Sequence, residues 1–376
     1  MTNTGDSWDR VPIEPQSVDA PLSRAAVFLT VALADSPDAA DRVRAVLGDV
    51  GGLVRAVGFR DLGGRLSCVV AIGPEAWDAV TKLPKPTQLH RFPEVHGSVH
   101  TAPSTPGDLL FHIRAERADM CFELERLLLD ALGDAVTVVD ETVGFRYFES
   151  RDLLGFVDGT ENPTGSGMAH WALVGDDDPQ HAGGSYVVVQ KYIHPIEKWR
   201  ALTTEQQEAI MGRTKADNTE LDDAVEGQKS HKTLATIVDD TGERDILRDN
   251  MPFGSPASGE FGTYFIGYSR YLWVIERMLE RMFIGDPPGL HDRLLDFSTA
   301  LTGSTFFAPS SDLLESLGDD DDAPAAASAA GPAASGPITP EPAPTAPNPS
   351  PSAPAPTEDT SLGLGSLRPR SGSRSR

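Results

Sequence analysis

Two patterns of apolar residues alternate along this chain. One is a short run rich in β-branched and aromatic residues. The other is a longer stretch with an apolar residue every three or four positions. Ala25–Leu33, AAVFLTVAL, is of the first kind and predicts a strand. Residues 37–47 have helical spacing, with a cap at Asp35 or Ser36. Residues 66–72 and 109–114 predict two further strands, and the Pro- and His-rich stretch 83–106 between them predicts a long loop. Leu124, Leu127, Leu128, Ala131 and Leu132 then repeat at i, i+3, i+4, i+7 and i+8, the apolar face of a helix. Residues 136–148 predict a pair of strands.

The plan then repeats. Residues 186–192, YVVVQKY, predict a strand. Thr203 or Thr204, with Gln206 or Gln207 three residues on, forms a capping-box pattern that opens a helix. Residues 232–238 and 264–268 predict two more strands. Ile275, Met278, Leu279, Met282 and Phe283 recur at the same helical spacing; Met278, Met282 and Phe283 could line a ligand pocket, but a stripe at that spacing reads first as core packing. Residues 109–132 and 261–283 thus share a strand, a polar link and a helix, a sign of internal duplication. The expected fold class is α+β, two packed domains with antiparallel sheets.

A change in composition marks the end of the folded part. Residues 319–322 are four carboxylates, and 323–356 are almost all Ala, Pro, Ser, Thr and Gly. Such a segment buries too little apolar surface to offset the entropy of ordering, so a disordered linker is expected. Leu362, Leu364 and Leu367 follow in TSLGLGSLRPR, the pattern of a docking peptide. The expected division is an arm at 1–22, domains at 23–150 and 151–317, a linker at 318–358 and a terminal peptide at 359–376.

With 376 residues the chain has ample length for two domains. A net charge of -24 argues against nucleic acid as a partner, because phosphate binding needs a basic surface. No apolar run approaches a membrane span and no leader precedes the arm, so a soluble, cytoplasmic protein is expected. Cys68 and Cys121 sit in apolar runs and read as buried thiols of a reducing compartment.

Candidate chemistry gathers around residues 155–163, GFVDGTENP. Gly155 and Gly159 permit backbone angles closed to other residues, and Asp158, Glu161 and Asn162 are polar. A loop of this kind can lie against a flat ligand and aim a carboxylate at it. His231 stands at the head of a predicted strand in GQKSHKTLA. Arg248 and Asn250, in ILRDNMPFG, point the same way from an extended segment. Asp292 lies in LHDRLLDF, with Asp296 one helical turn on. His96 and His100 have the spacing of a metal pair, but Gly97 spoils the helix and no third ligand is evident, so they read as loop residues. Residues 176–178, three aspartates, could bind a cation such as manganese, but read first as solvated loop charge.

GFVDGTENP resembles the GxxDG signature of the dye-decolourising peroxidases. The sequences around His231, ILRDNMPFG and TGSTFFAPS follow in that family's order, and the likeness spans residues 22–316. It is to the bacterial class and implies two ferredoxin-like halves, the second holding haem b. It implies His231 as axial ligand to the haem iron and Asp292 as the carboxylate that sets the basicity of His231, with Asp296 as second choice. Asp158 would be the proton-transfer base, Arg248 the cation that supports peroxide cleavage, and Asn250 a further contact to peroxide. Gly155 and Gly159 would let the loop approach the haem. An ordinary aspartate titrates near 3.9, so such a base works even in acid.

The implied reaction reduces hydrogen peroxide and oxidises dyes, phenolic compounds or Mn2+ by single electrons, with a surface aromatic such as Trp273 relaying them. TSLGLGSLR resembles the peptide that sends these peroxidases into encapsulin shells. That implies a cargo protein inside a nanocompartment, and the family implies dimers up to hexamers. A porphyrin-handling protein and a cofactor-free scaffold module are the competing functional classes.

Overall fold

The computed structural model describes residues 14–222 and 227–318. The linker and terminal-peptide expectations, Leu362, Leu364 and Leu367 included, lie outside the described residues.

Nine strands position the rest: β1 (Ala25–Leu33), β2 (Ser67–Ile72), β3 (Leu109–Ala115), β4 (Val136–Phe145), β5 (Ser185–Ile193), β6 (Leu247–Arg248), β7 (Met251–Ser255), β8 (Glu260–Ser269) and β9 (Ser304–Ala308). The first half pairs antiparallel in the order β4-β1-β3-β2. The second pairs as β9-β5-β8, with β6 and β7 sharing the far edge of β8. Single register pairs join the halves, Phe253 to Gly144 and Phe307 to Ile72. The eight strands other than β6 therefore close into a ring, which removes exposed edges.

Closure explains the unbroken apolar runs. Val27, Leu29 and Val31 of β1 face the helix layer. Ala26 and Phe28 face the ring interior with Leu110, Val187, Ile266 and Phe306. A strand buried on both faces needs apolar residues at every position. Helices α1 (Ala39–Gly48), α2 (Val50–Gly58) and α3 (Ala118–Leu132) pack outside the first half. The second half carries α4 (Thr204–Met211), α5 (His231–Ala235) and α6 (Leu272–Phe283).

Several local expectations need correction. Helix α1 begins at Ala39 with Asp38 at the cap position, because Ser36 donates its hydroxyl to Asp38 instead (3.0 Å). Residues 136–145 form one strand that follows β1 throughout, with a register shift at Thr30 and Val31, and Phe148–Ser150 is a 3-10 turn. The stretch 83–106 holds a small hairpin, Val95–His96 with Thr101–Ala102. The capping box is present: Thr203 Oγ1 accepts from the Gln206 N–H (3.3 Å), and Gln206 Oε1 accepts from the Thr203 N–H (2.9 Å). Cys68 and Cys121 are free thiols, and burial pushes both up to about 12. Among the described residues no helix is long and apolar enough to cross a membrane.

Candidate active site

A cavity of about 210 Å3 opens between β8, α5, α6 and the 155–163 loop. His231, Asp158, Gly159, Arg248 and Asn250 all line it. Its apolar wall includes Phe265, Ile275, Met278, Leu279 and Met282. The stripe on α6 that reads as core packing is therefore divided. Phe283 is buried, but Met278 and Met282 face the cavity and are only half-buried.

His231 does not head a strand. It opens the one-turn helix α5, and the strand behind it is only Ile237–Asp239. The local cause is Ser230, whose hydroxyl accepts from the Thr233 N–H (3.3 Å) and caps the turn. The β-branched residues at 233–238 misled the pattern. His231 Nδ1 lies 2.6 Å from Asp292 Oδ2. Asp292 is fully buried at the cap of a 3-10 helix, and its Oδ1 accepts from the Leu294 N–H (2.9 Å). With Nδ1 engaged, Nε2 is the ring nitrogen left to serve the cavity. Asp296 is not near His231 in this way; it bonds His100, His291 and Arg293.

On the other wall, the 155–163 loop turns through Gly155 (φ 97°) and Gly159 (φ 76°), angles that favour glycine. Gly159 lines the cavity; Gly155 does not, and a Cβ there would strike Lys215 Cε at 2.4 Å. Asp158 Oδ1 accepts from the Gly159 N–H (2.7 Å) and from Asn250 Nδ2 (3.3 Å). Asn250 Oδ1 accepts from the Ile266 N–H (3.2 Å), filling the gap in the ladder between β6 and β7. Such breaks in a strand edge re-aim side chains. Among the described residues Arg248 Nε is buried without a hydrogen-bond partner.

Three contributors have no role in the sequence reading. Asn162 locks the loop to β6: its Nδ2 donates to the Arg248 carbonyl (2.6 Å), and its Oδ1 accepts from the Arg248 N–H (3.0 Å). The signal was its place in GFVDGTENP. Asp249 alternates with Arg248 and Asn250, so it points into the ring and meets buried Arg114 at 2.9 Å. Burial raises the Asp249 carboxyl, and Arg114 opposes that rise. His194 also lines the cavity, between Thr263 Oγ1 (2.9 Å) and Ser298 Oγ (3.0 Å). Burial lowers it to about 4, so it stays neutral over most working pH values. Asp152 also lines the cavity, and burial pushes it up to about 7, eased by the Phe156 N–H and reinforced by Asp158.

Residues 176–178 are not simply solvated charge. Asp178 is buried and accepts from the Thr87 N–H (3.0 Å), while Asp177 pairs with Arg270.

Residues 15–146 match the family described as Dyp-type peroxidase, N-terminal, and residues 149–313 match Dyp-type peroxidase, C-terminal. The chain belongs to the dye-decolourising peroxidase family. It is 52% identical over 363 residues to a dye-decolorizing peroxidase of Brevibacterium linens, covering 95% of this chain and 97% of that one. Its fold is similar to DyPB from Rhodococcus jostii RHA1, with 59% identity, a TM-score of 0.79, and 81% and 98% of the two chains covered. Variants of that protein have been solved in complex with heme and with manganese. The encapsulated DyP-type peroxidase of Mycobacterium smegmatis is also similar, with 54% identity, a TM-score of 0.78, and 81% and 98% covered.

Proposed function

We propose that this chain binds haem b in the 210 Å3 cavity and acts as a peroxidase on small aromatic reductants. The observation that carries this is one cavity with an imidazole tethered by a buried carboxylate on one wall and Asp158, Arg248 and Asn250 on another. The residues fit the group. The wall from Phe265 to Met282 suits a flat apolar ring, and the free nitrogen of His231 suits an iron ligand. The unpartnered buried Nε of Arg248 suits an anionic oxygen. Heme in a variant of the R. jostii protein supports the same reading.

Haem, when bound, supplies a redox iron that takes peroxide and stores its oxidising equivalents. The chain does the rest. Asp292 accepts from Nδ1–H of His231, fixes the tautomer and raises the ring's basicity as a ligand. Asp158 would take a proton from one peroxide oxygen and return it to the other. Arg248 donates to the departing oxygen, and Asn250 steadies Asp158. A second cavity of about 30 Å3 shares Asp158, Arg248 and Asn250 and is of a size for peroxide rather than a dye. Trp273, half exposed on α6 and 6.4 Å from Tyr271, offers bulky reductants a surface route.

Mn2+ is a further reductant. Glu161, Glu243 and Asp245 line the cavity, and the manganese complex of the R. jostii variant supports this reading. Asp158→Ala and Arg248→Leu should each slow the reaction of the haem-loaded protein with peroxide by about 100-fold or more in stopped flow. Unchanged rates in both would remove the assignment. A haem band indifferent to peroxide in the wild type would favour porphyrin handling.

The chain is further proposed to be encapsulin cargo in the cytoplasm, docked through Leu362, Leu364 and Leu367, and to assemble as a homo-oligomer between dimer and hexamer. The motif and the encapsulated relative support this. Alanine at the three leucines should abolish co-purification with a co-expressed shell protein. Retention in the shell would refute the docking role.

A further inference from the structure

His100, His291 and Asp296 come from three places: the hairpin turn after Val95–His96, the segment before the 3-10 helix, and that helix itself. Their side chains converge. His100 Nε2 and His291 Nε2 each lie 3.0 Å from the same oxygen, Oδ1 of Asp296. The three donor atoms fall within 4.8 Å of one another. The two imidazole rings meet edge to face at 4.9 Å. Among the described residues this is the only such group of three His, Cys, Asp or Glu side chains. It corrects the reading of His100 as a plain loop residue. The missing third ligand was hidden because the partners lie nearly two hundred positions away along the chain.

We propose that these three residues bind one divalent cation of the Zn2+ class. The reasons are chemical. Two imidazoles and one carboxylate are a donor set for a borderline metal, not for Ca2+ or Mg2+, which take oxygen. Bonds of about 2.0–2.2 Å at a tetrahedral angle place neighbouring ligand atoms about 3.3–3.6 Å apart. The two N–O separations, 3.0 Å each, need open only by a few tenths of an ångström, and the two rings must draw together. Asp296 Oδ2 accepts from Arg293 Nε (2.5 Å), the kind of outer bond that holds a ligating carboxylate in place.

All three residues are partly exposed, so an ion can enter and keep a water as fourth ligand. The ion would clamp the hairpin to the segment that carries Asp292, one residue beyond His291. The site is separate from the cavity: none of the three residues lines it.

The test uses the haem-loaded full chain, stripped with a chelator and titrated with Zn2+ by calorimetry. One saturable site is expected in the wild type, weakened at least about 10- to 100-fold in His100→Ala and in Asp296→Asn. Zn2+ should also raise the unfolding temperature of the wild type and not of His100→Ala. His100→Asn serves if the alanine variant fails to fold. Equal stoichiometry and affinity in wild type and variants, or no saturable site in the wild type, would overturn the proposal.

Discussion

The two halves of this molecule use the same sequence device and end differently. In the first, β3 feeds α3, and Leu124, Leu128 and Leu132 are buried to 1% or less against the sheet. In the second, β8 feeds α6, and Ile275 and Leu279 are buried while Met278 and Met282 are left half-covered over a cavity. The apolar period is the same. It says that a face will be covered, not by what. One half covers it with protein; the proposed function covers the other with a cofactor. Long flexible methionines suit that place, since they fill an irregular surface without demanding one shape.

The largest expected effect tests this contrast directly. Leu124→Ala empties a closed core and should cost about 2–5 kcal/mol in denaturant unfolding. Met282→Ala removes a side chain already open on one side, and in the haem-free protein it should cost less than half as much. Equal costs would mean that the second half is packed as tightly as the first.

A smaller effect concerns buried polar groups in the second half. His194 has a folded pKa of about 4, below the ordinary 6.5. Above pH 6.5 it contributes nothing, because both states are neutral. As pH falls from 6.5 to 4 the unfolded chain takes up a proton and the folded one does not, so stability is lost. The full loss is about 3 kcal/mol. Asp152, raised to about 7, has the opposite slope: its penalty is absent below pH 4 and grows towards 7. The difference between wild type and His194→Asn, measured by denaturant at pH 7 and pH 5, isolates the histidine. A difference that does not change with pH would contradict it.

The smallest effect lies at the tether. Asp292→Asn keeps the shape and loses the charge beside His231, and should slow peroxide reaction about 10- to 100-fold. It should also shift the haem reduction potential, which a purely structural role would leave alone.

Much of this arrangement was legible in the sequence, for physical reasons that can be named. Strands buried on both faces betray themselves as solid apolar runs, and Thr203 with Gln206 announces a helix start by hydrogen-bond chemistry alone. The turn at Gly155–Gly159 is visible because only glycine holds those angles cheaply. What stayed hidden depends on contacts across the fold. The helix at His231 is one turn long, and a Ser230 cap outweighs β-branched neighbours. Asn162 looked like any turn residue until β6 was brought beside it. Asp249 carried no signal of its Arg114 partner, which lies in the other half of the chain. Ring closure itself rests on two single register pairs that no local pattern encodes.

The central claim is that the half-covered stripe of α6 is completed by haem held at His231. The most direct measurement is a titration of haem into the purified full chain, followed by its visible absorption band, for wild type and His231→Ala. The account predicts saturation at one equivalent in the wild type, a band that responds to one equivalent of peroxide, and loss of that band position in the variant. No band in the wild type, or the same band in both proteins, would contradict it.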